Sequence, residues 1–317
     1  MTTLLIKNPY SRNGDTDIQP IVDELARIGP VDVFEVGCKE TVADRIAKLE
    51  PALERIVVAG GDGTLNTVSR PILDSGKPLG VIPLGTANDF ARTLCLPDDP
   101  VDAARAISNG KKRTVDVGIV NGHPFLNAVG VGLGPALTKE LNGEKKKRLG
   151  VVAYLDSLIQ VIYRRRRYLA KLVIDGEVHR LPFVQITIGN GRHYGGGLTI
   201  CDDAAVDDGH LHVLGVRPLT PWQLFLRGIR LKFGAVKDDE KLYYARGCKV
   251  ELEVRRRCEV TADGELVTTT PLKCHIIKDA LSVYVPADEP ADNVLDPDQQ
   301  AGDLSFLAPD RAAAVAG

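Results

Sequence analysis

In the first third of the chain, short β-branched apolar runs alternate with amphipathic stretches. Leu4-Leu5-Ile6, Val31 to Val36, Ile56 to Ala59 and Leu79 to Ile82 read as strands. Ile18 to Ile28, Thr41 to Leu49, Thr64 to Leu73 and Asn88 to Leu94 read as helices, with Thr41 placed as an N-cap. Strands separated by single helices imply a parallel sheet covered on both faces. Ligands bind such sheets at the carboxyl ends of the strands. Asn8-Pro9, Gly60 to Thr64 and Pro83 to Thr86 each follow a strand, so the three turns are predicted to line one edge.

From about Val115 the period shortens. Val115–Val120, Phe125–Val131, Lys171–Ile174, Phe183–Ile188, His210–Val216, Lys249–Val254, Glu259–Thr261, Lys273–Ile277 and Leu281–Val285 read as strands. Asn121-Gly122, Asp175-Gly176 and Asp263-Gly264 punctuate them as turns. The expected architecture is an α/β domain with a parallel sheet over 1–118, then an antiparallel β-sandwich over 119–286. Two helices, 151–163 and 221–233, interrupt the sandwich, and an acidic flexible tail over 287–317 closes the chain.

Composition narrows the function classes. The 317 residues carry a formal net charge of −2, which gives no global basic field for nucleic acid. No apolar run reaches membrane-spanning length, and the N-terminus meets a Pro-containing turn too early for a signal peptide. The six cysteines (38, 95, 201, 248, 258, 274) lack C-x-x-C spacing and read mostly as reduced core residues of a cytoplasmic protein.

The candidate chemistry sits in Gly60-Gly61-Asp62-Gly63-Thr64-Leu65-Asn66. Glycines let the backbone approach a ligand, and the following helix aims free N–H groups at an anion. An acid within such a turn points to a cation between carboxylate and phosphate. The second turn, Pro83 to Arg92, repeats the logic. Gly85 permits close approach, Thr86 and Asn88 can donate hydrogen bonds, and Asp89 caps its helix or faces the cation. Asp263 and Glu265 lie two apart around a glycine, so an extended segment would turn both to one cleft. Either could take a proton from an acceptor hydroxyl, Glu265 ranking first.

On these residues the chain resembles the diacylglycerol kinase catalytic-domain family, which includes sphingosine, ceramide and soluble bacterial lipid kinases. Gly60 to Thr64 and Pro83-x-Gly85-Thr86-x-Asn88-Asp89-x-Ala91-Arg92 carry the likeness. Phe125-Leu126-Asn127, Tyr194 to Gly197, Asp207-Asp208-Gly209 and Asp263-Gly264-Glu265 extend it over roughly residues 3–286. The resemblance implies ATP and Mg²⁺ as cofactors and transfer of the γ-phosphoryl group to a lipid hydroxyl. It implies nucleotide contacts at Asn8, Ser11, Thr41, Gly61 to Asn66 and Thr86, and a proton acceptor at Glu265. It also implies a structural Mg²⁺ at Asp208 with the carbonyls of Ala205 and His210. The turn Asn8-Pro9-Tyr10-Ser11-Arg12-Asn13-Gly14 departs from the family by two extra residues before its glycine.

A lipid kinase lacking a membrane span must visit a bilayer surface, here the inner face of the membrane. The basic runs 145–148 and 164–167 flank an amphipathic stretch, and Trp222, Phe225, Leu226 and Ile229 form a second interfacial candidate. A homodimer stays open. So do an NAD kinase-like enzyme, whose glycine turn is similar, and a non-catalytic nucleotide-binding module. The acceptor lipid, among diacylglycerol, ceramide, sphingoid bases and related lipids, is not set by these motifs.

Overall fold

Alternate residues of the first strands belong to different cores. Leu4, Ile6, Ile56 and Val58 pack with Ile46, Leu65, Val68 and Ile72, whereas Leu5, Val57 and Ala59 pack with Ile21, Leu25, Ala103 and Ile107. Strands buried on both faces need apolar residues at every position, which is why these runs are unbroken. The computed structural model describes residues 1–11, 13–38, 40–132, 168–201, 203–220, 223 and 240–287. The basic runs 145–148 and 164–167, the expected helix 151–163, nearly all of 221–233 and the tail from 288 onward lie outside them.

Strands β1 (Thr2–Lys7), β2 (Val31–Glu35), β3 (Leu53–Gly60) and β4 (Leu79–Pro83) pair in parallel in the order β2-β1-β3-β4. Helices α1 (Gln19–Ala26), α2 (Val42–Leu49), α3 (Asp62–Ser75), α4 (Asp89–Thr93) and α5 (Pro100–Asn109) accompany them. Thr41 caps α2 as expected, in a reciprocal capping box with Asp44. Helix α5 is an addition to the pattern reading. Its start was legible in Asp99-Pro100, an N-cap followed by proline at N1, and Asp99 accepts from Val101 and Asp102 N–H.

The second half contributes β5 (Lys111–Val120), β6 (His123–Phe125), β7 (Ala128–Gly132), β8 (Tyr168–Ile174), β9 (Glu177–Phe183) and β10 (Gln185–Gly189). Then come β11 (His193–Tyr194), β12 (Leu198–Thr199), β13 (Leu211–Val216), β14 (Leu242–Gly247), β15 (Lys249–Val254), β16 (Glu259–Ala262), β17 (Glu265–Thr269) and β18 (Leu272–Val285). Strand β18 meets β4 in parallel and β5 and β15 antiparallel, so it carries the first sheet into the second half. A second sheet, β14-β13-β10-β7-β16-β17, faces it. Val120, Phe125, Leu172, Phe183 and Leu252 from one sheet share a core with Val129, Val131, Ile186, Val213 and Val260 from the other.

Three expectations change. The span Phe125–Val131 splits into β6 and β7, because Leu126 and Asn127 leave the strand to meet Asp263. The two terminal strands are one, β18, whose register shifts between Ile277 and Leu281 around the left-handed Asp279. Only Cys201, Cys258 and Cys274 are buried; Cys38 is exposed, and Cys95 and Cys248 are half-buried.

Gly118 faces Phe125 across the β5–β6 pair, and a Cβ there would lie 2.2 Å from the ring. Gly118→Ala is therefore expected to cost about 1–3 kcal/mol by overpacking, measured by chemical denaturation. Adding Phe125→Leu recovers part of that loss, whereas strictly additive losses would show that the ring does not set the limit.

Candidate active site

Two turns at the carboxyl edge of the parallel strands touch backbone to backbone. A Cβ on Gly85 would lie 2.5 Å from Gly61 Cα, so neither position accepts a side chain without separating the turns. Leu84 N–H donates to Gly60 C=O at 3.0 Å and locks the same contact. Asn88, held in the left-handed region at φ 51°, folds its amide back on Gly85: Oδ1 accepts Gly85 N–H at 2.9 Å. From the neighbouring turn, Asn8 Nδ2 donates to Thr64 Oγ1 at 2.8 Å, and Ser11 Oγ donates to Asn8 C=O at 2.9 Å. Among the described residues, the N–H groups of Gly61, Asp62 and Gly63 have no acceptor, as expected for the open end of α3.

Asp62 is the first residue of α3, and its carboxylate accepts from another helix start. Oδ2 takes Asp89 N–H at 3.1 Å and Oδ1 takes Phe90 N–H at 3.2 Å, both from the first turn of α4. Oδ1 also takes Asn127 Nδ2 at 3.1 Å, which brings in the second half of the chain. The sequence reading placed Asn127 inside a strand and gave it no role. Its signal was a lone amide in an otherwise apolar run.

Asp89 sits deeper, at 4% exposure, and neither caps α4 nor opens to the cleft. Its oxygens accept Gly196 N–H at 2.9 Å and Gly197 N–H at 2.8 Å, so it anchors the triple-glycine loop. Burial raises its pKa and Asp62's charge adds to the shift, against the loop N–H groups and Arg92.

Asp263 and Glu265 do not share a face as an extended segment would dictate. Asp263 lies in the left-handed region at φ 48°, and its carboxylate turns inward. It accepts three backbone N–H groups, Leu126 at 2.8 Å, Asn127 at 2.8 Å and Ala128 at 2.9 Å. Burial pushes it up to about 6 despite these bonds, and Asp62's charge contributes. Glu265, two residues on, is exposed at the start of β17 and reaches the glycine turn: its Oε1 lies 3.3 Å from where a Gly63 Cβ would be. Asn66 Nδ2 donates to Ala262 C=O at 3.2 Å and fixes α3 against the strand leading to that turn.

Thr41 and Thr67 line a groove of about 600 Å³ between α2 and α3, walled by Phe34, Val36, Val68 and Pro71. Leu65 turns its side chain into the core and offers the cleft only its backbone. Thr86 is exposed at the edge. The metal candidate at Asp208 is closed on itself. Its oxygens accept Ala205 and His210 N–H at 3.2 and 2.8 Å, and Oδ2 lies 2.7 Å from His212 Nε2. Burial opposes ionisation there, but the His212 contact and the N–H groups outweigh it and hold the carboxyl below its ordinary value. Those bonds tie the 205–212 segment together around the Asp208 carboxylate. Among the described residues, no three His, Cys, Asp or Glu side chains converge as a metal cluster.

The diacylglycerol kinase catalytic domain matches residues 2–120, and the YegS C-terminal NAD kinase beta sandwich-like domain matches residues 127–285. A Pseudomonas aeruginosa protein described as "probable lipid kinase YegS-like" is 36% identical over 288 residues, covering 87% of this chain and 92% of its own. A Bacillus subtilis diacylglycerol kinase is 30% identical over 213 residues, 66% of this chain and 70% of its own. The crystal structure of a diacylglycerol kinase from Bacillus anthracis superposes with a TM-score of 0.73 at 27% identity, over 90% of this chain and 96% of that one. With the two domains in sequence and the glycine turns meeting at their junction, the chain belongs to the diacylglycerol kinase catalytic-domain family, among its YegS-like lipid kinases.

Proposed function

We propose that the enzyme transfers the γ-phosphoryl group of ATP to a hydroxyl of a membrane lipid, with diacylglycerol, ceramide, sphingoid bases and related lipids as candidate acceptors. The observation that carries this reading is the open N-terminus of α3, whose N–H groups at Gly61 to Gly63 have no acceptor among the described residues, with the Glu265 carboxylate beside Gly63. In this reading those N–H groups hold the nucleotide phosphates, where the helix dipole and unpaired donors favour an anion. Asn8, Ser11, Thr86 and Asn88 shape the turns around them. Thr41 and the apolar groove receive the rest of the nucleotide.

Mg²⁺ fits as a partner that arrives with the phosphates. Asp62 is half-buried at the cleft with one lone pair of Oδ2 uncommitted, and Mg²⁺ takes one or two carboxylates plus phosphate oxygens. When bound, it would neutralise charge on the transferring group. Phosphoryl transfer asks the protein mainly for alignment and charge stabilisation, which the turn N–H groups provide. Glu265 takes the acceptor's proton as the one carboxylate of the set that is exposed and unspent, while Asp263 and Asp89 position the backbone around it. The lipid is met at a membrane surface, with the basic runs 145–148 and 164–167 as the candidate contacts; among the described residues, no helix is long and apolar enough to cross a bilayer.

Glu265→Gln should lower kcat by about 10²–10⁴ with ATP affinity kept, read by radiolabelled phosphoryl transfer and nucleotide titration. Full turnover would remove Glu265 as the base. Asp62→Asn should lose both the metal-dependent rate and the tether to α4, seen as reduced activity and a lower Tm; unaltered values of both would refute its role. A panel of diacylglycerol, ceramide, sphingosine and phosphatidylglycerol identifies the acceptor.

Asp263 gives a pH signature. Its folded pKa of about 6 lies above the ordinary carboxyl value. Such a group contributes its stability in full below about pH 4 and loses it as pH rises through about 6. Wild-type Tm should therefore drop more between about pH 4 and about pH 7 than that of Asp263→Asn, whatever the variant's absolute Tm. Equal slopes would show that Asp263 does not titrate there.

A further inference from the structure

Tyr10 is the most exposed large aromatic side chain among the described residues, at 84%, yet its backbone is tightly held. Its N–H donates to Asn8 Oδ1 at 2.9 Å, and that same amide donates through Nδ2 to Thr64 Oγ1 in the glycine turn. Ser11 N–H returns to Asn8 C=O at 3.2 Å, Gly14 N–H to Ser11 C=O at 2.9 Å, and Asn13 N–H to Leu84 C=O at 3.2 Å. The described residues of the lengthened turn are therefore hydrogen-bonded to both glycine turns, and Tyr10 presents an exposed ring.

The ring lies beside Gly37. Its Cε2 lies 3.3 Å from where a Gly37 Cβ would be, and Gly37 at φ 99° holds a conformation that side chains rarely adopt. Gly37 in turn lines the groove of about 600 Å³, followed by Val36, Thr41, Val42 and Val68. The phenol is thus next to a lining residue of a groove with an apolar wall, on a turn tied through Asn8 to Thr64.

We propose that Tyr10 is a base-binding residue, stacking on the purine of the nucleoside triphosphate at the mouth of this groove. This rests on the donor-site reading above. A flat π-system with polar edges suits the place: one face meets the phenol, and the other meets the apolar wall. Phosphate binding alone would not need the ring, because the turn N–H groups lie at Gly61 to Gly63.

Calorimetric titration of wild type, Tyr10→Ala and Tyr10→Phe with ATP and with inorganic triphosphate, each with Mg²⁺, tests this. Tyr10→Ala should weaken ATP binding roughly tenfold while leaving triphosphate binding unchanged, consistent with the loss of one base–aromatic stack. Tyr10→Phe, which keeps the ring, should restore ATP affinity to within about twofold, since stacking does not need the hydroxyl. Unchanged ATP affinity in Tyr10→Ala, or equal losses for ATP and triphosphate, would each overturn the inference. A wild-type protein that binds neither ligand would overturn the donor-site reading, and this inference with it.

Discussion

The Asp62 carboxylate is the constraint on which the rest depends. It sits on the first residue of α3, where its charge is favoured by the helix dipole, and it accepts the first N–H groups of α4. Two helix starts that would repel each other's partial positive charge are thereby held together by one anion. Their contact is what presses Gly61 against Gly85 and makes the edge a single surface. Through Asn127 the same carboxylate reaches the second half of the chain, so the two halves meet at the cleft through a charged hydrogen bond rather than through apolar packing alone.

The acids around it repeat one device. Asp89 holds the triple-glycine loop and Asp263 holds the β6–β7 connection, each through backbone N–H groups in irregular segments. Segments outside helix and sheet leave donors that must find acceptors when buried. A carboxylate supplies two oxygens and needs no matching donor, so it satisfies several at once. The cost is electrostatic. Burial is the main reason that Asp89 and Asp263 are both raised, and Asp62's charge adds to each.

The parallel sheet was legible because Leu4-Leu5-Ile6 and Ile56 to Ala59 must be apolar on both faces, and no exposed pairing needs to be guessed. The strands missed were β9, β11, β12, β14 and β17; β11 and β12 have only two residues each, and in the others Glu177, Tyr244 and Leu266 face solvent and break the alternation expected of a half-buried strand. The glycine turns and their acids were legible as chemistry from Gly60 to Thr64 and Pro83 to Arg92. The division of labour between Asp263 and Glu265 was not. Spacing of two predicts a shared face only if the backbone is extended, and the left-handed φ of Asp263 removes that condition. Asn127 stood out only as a lone amide in an apolar run, and nothing local shows that its partner lies 65 positions away.

That left-handed turn explains why two neighbouring acids differ in use. Were Asp263 extended, both carboxylates would face the cleft, and neither would brace the β6–β7 connection that carries Asn127. Turning Asp263 inward lets its oxygens take three N–H groups and hold Asn127 against Asp62. Glu265 is then left with no such claim and with reach to Gly63. A proton acceptor must keep a free lone pair at the reacting hydroxyl, so the acid spent on backbone donors is the wrong one for the task. One backbone dihedral in β-turn 263–264 thus separates the acid that builds the site from the acid that can act in it.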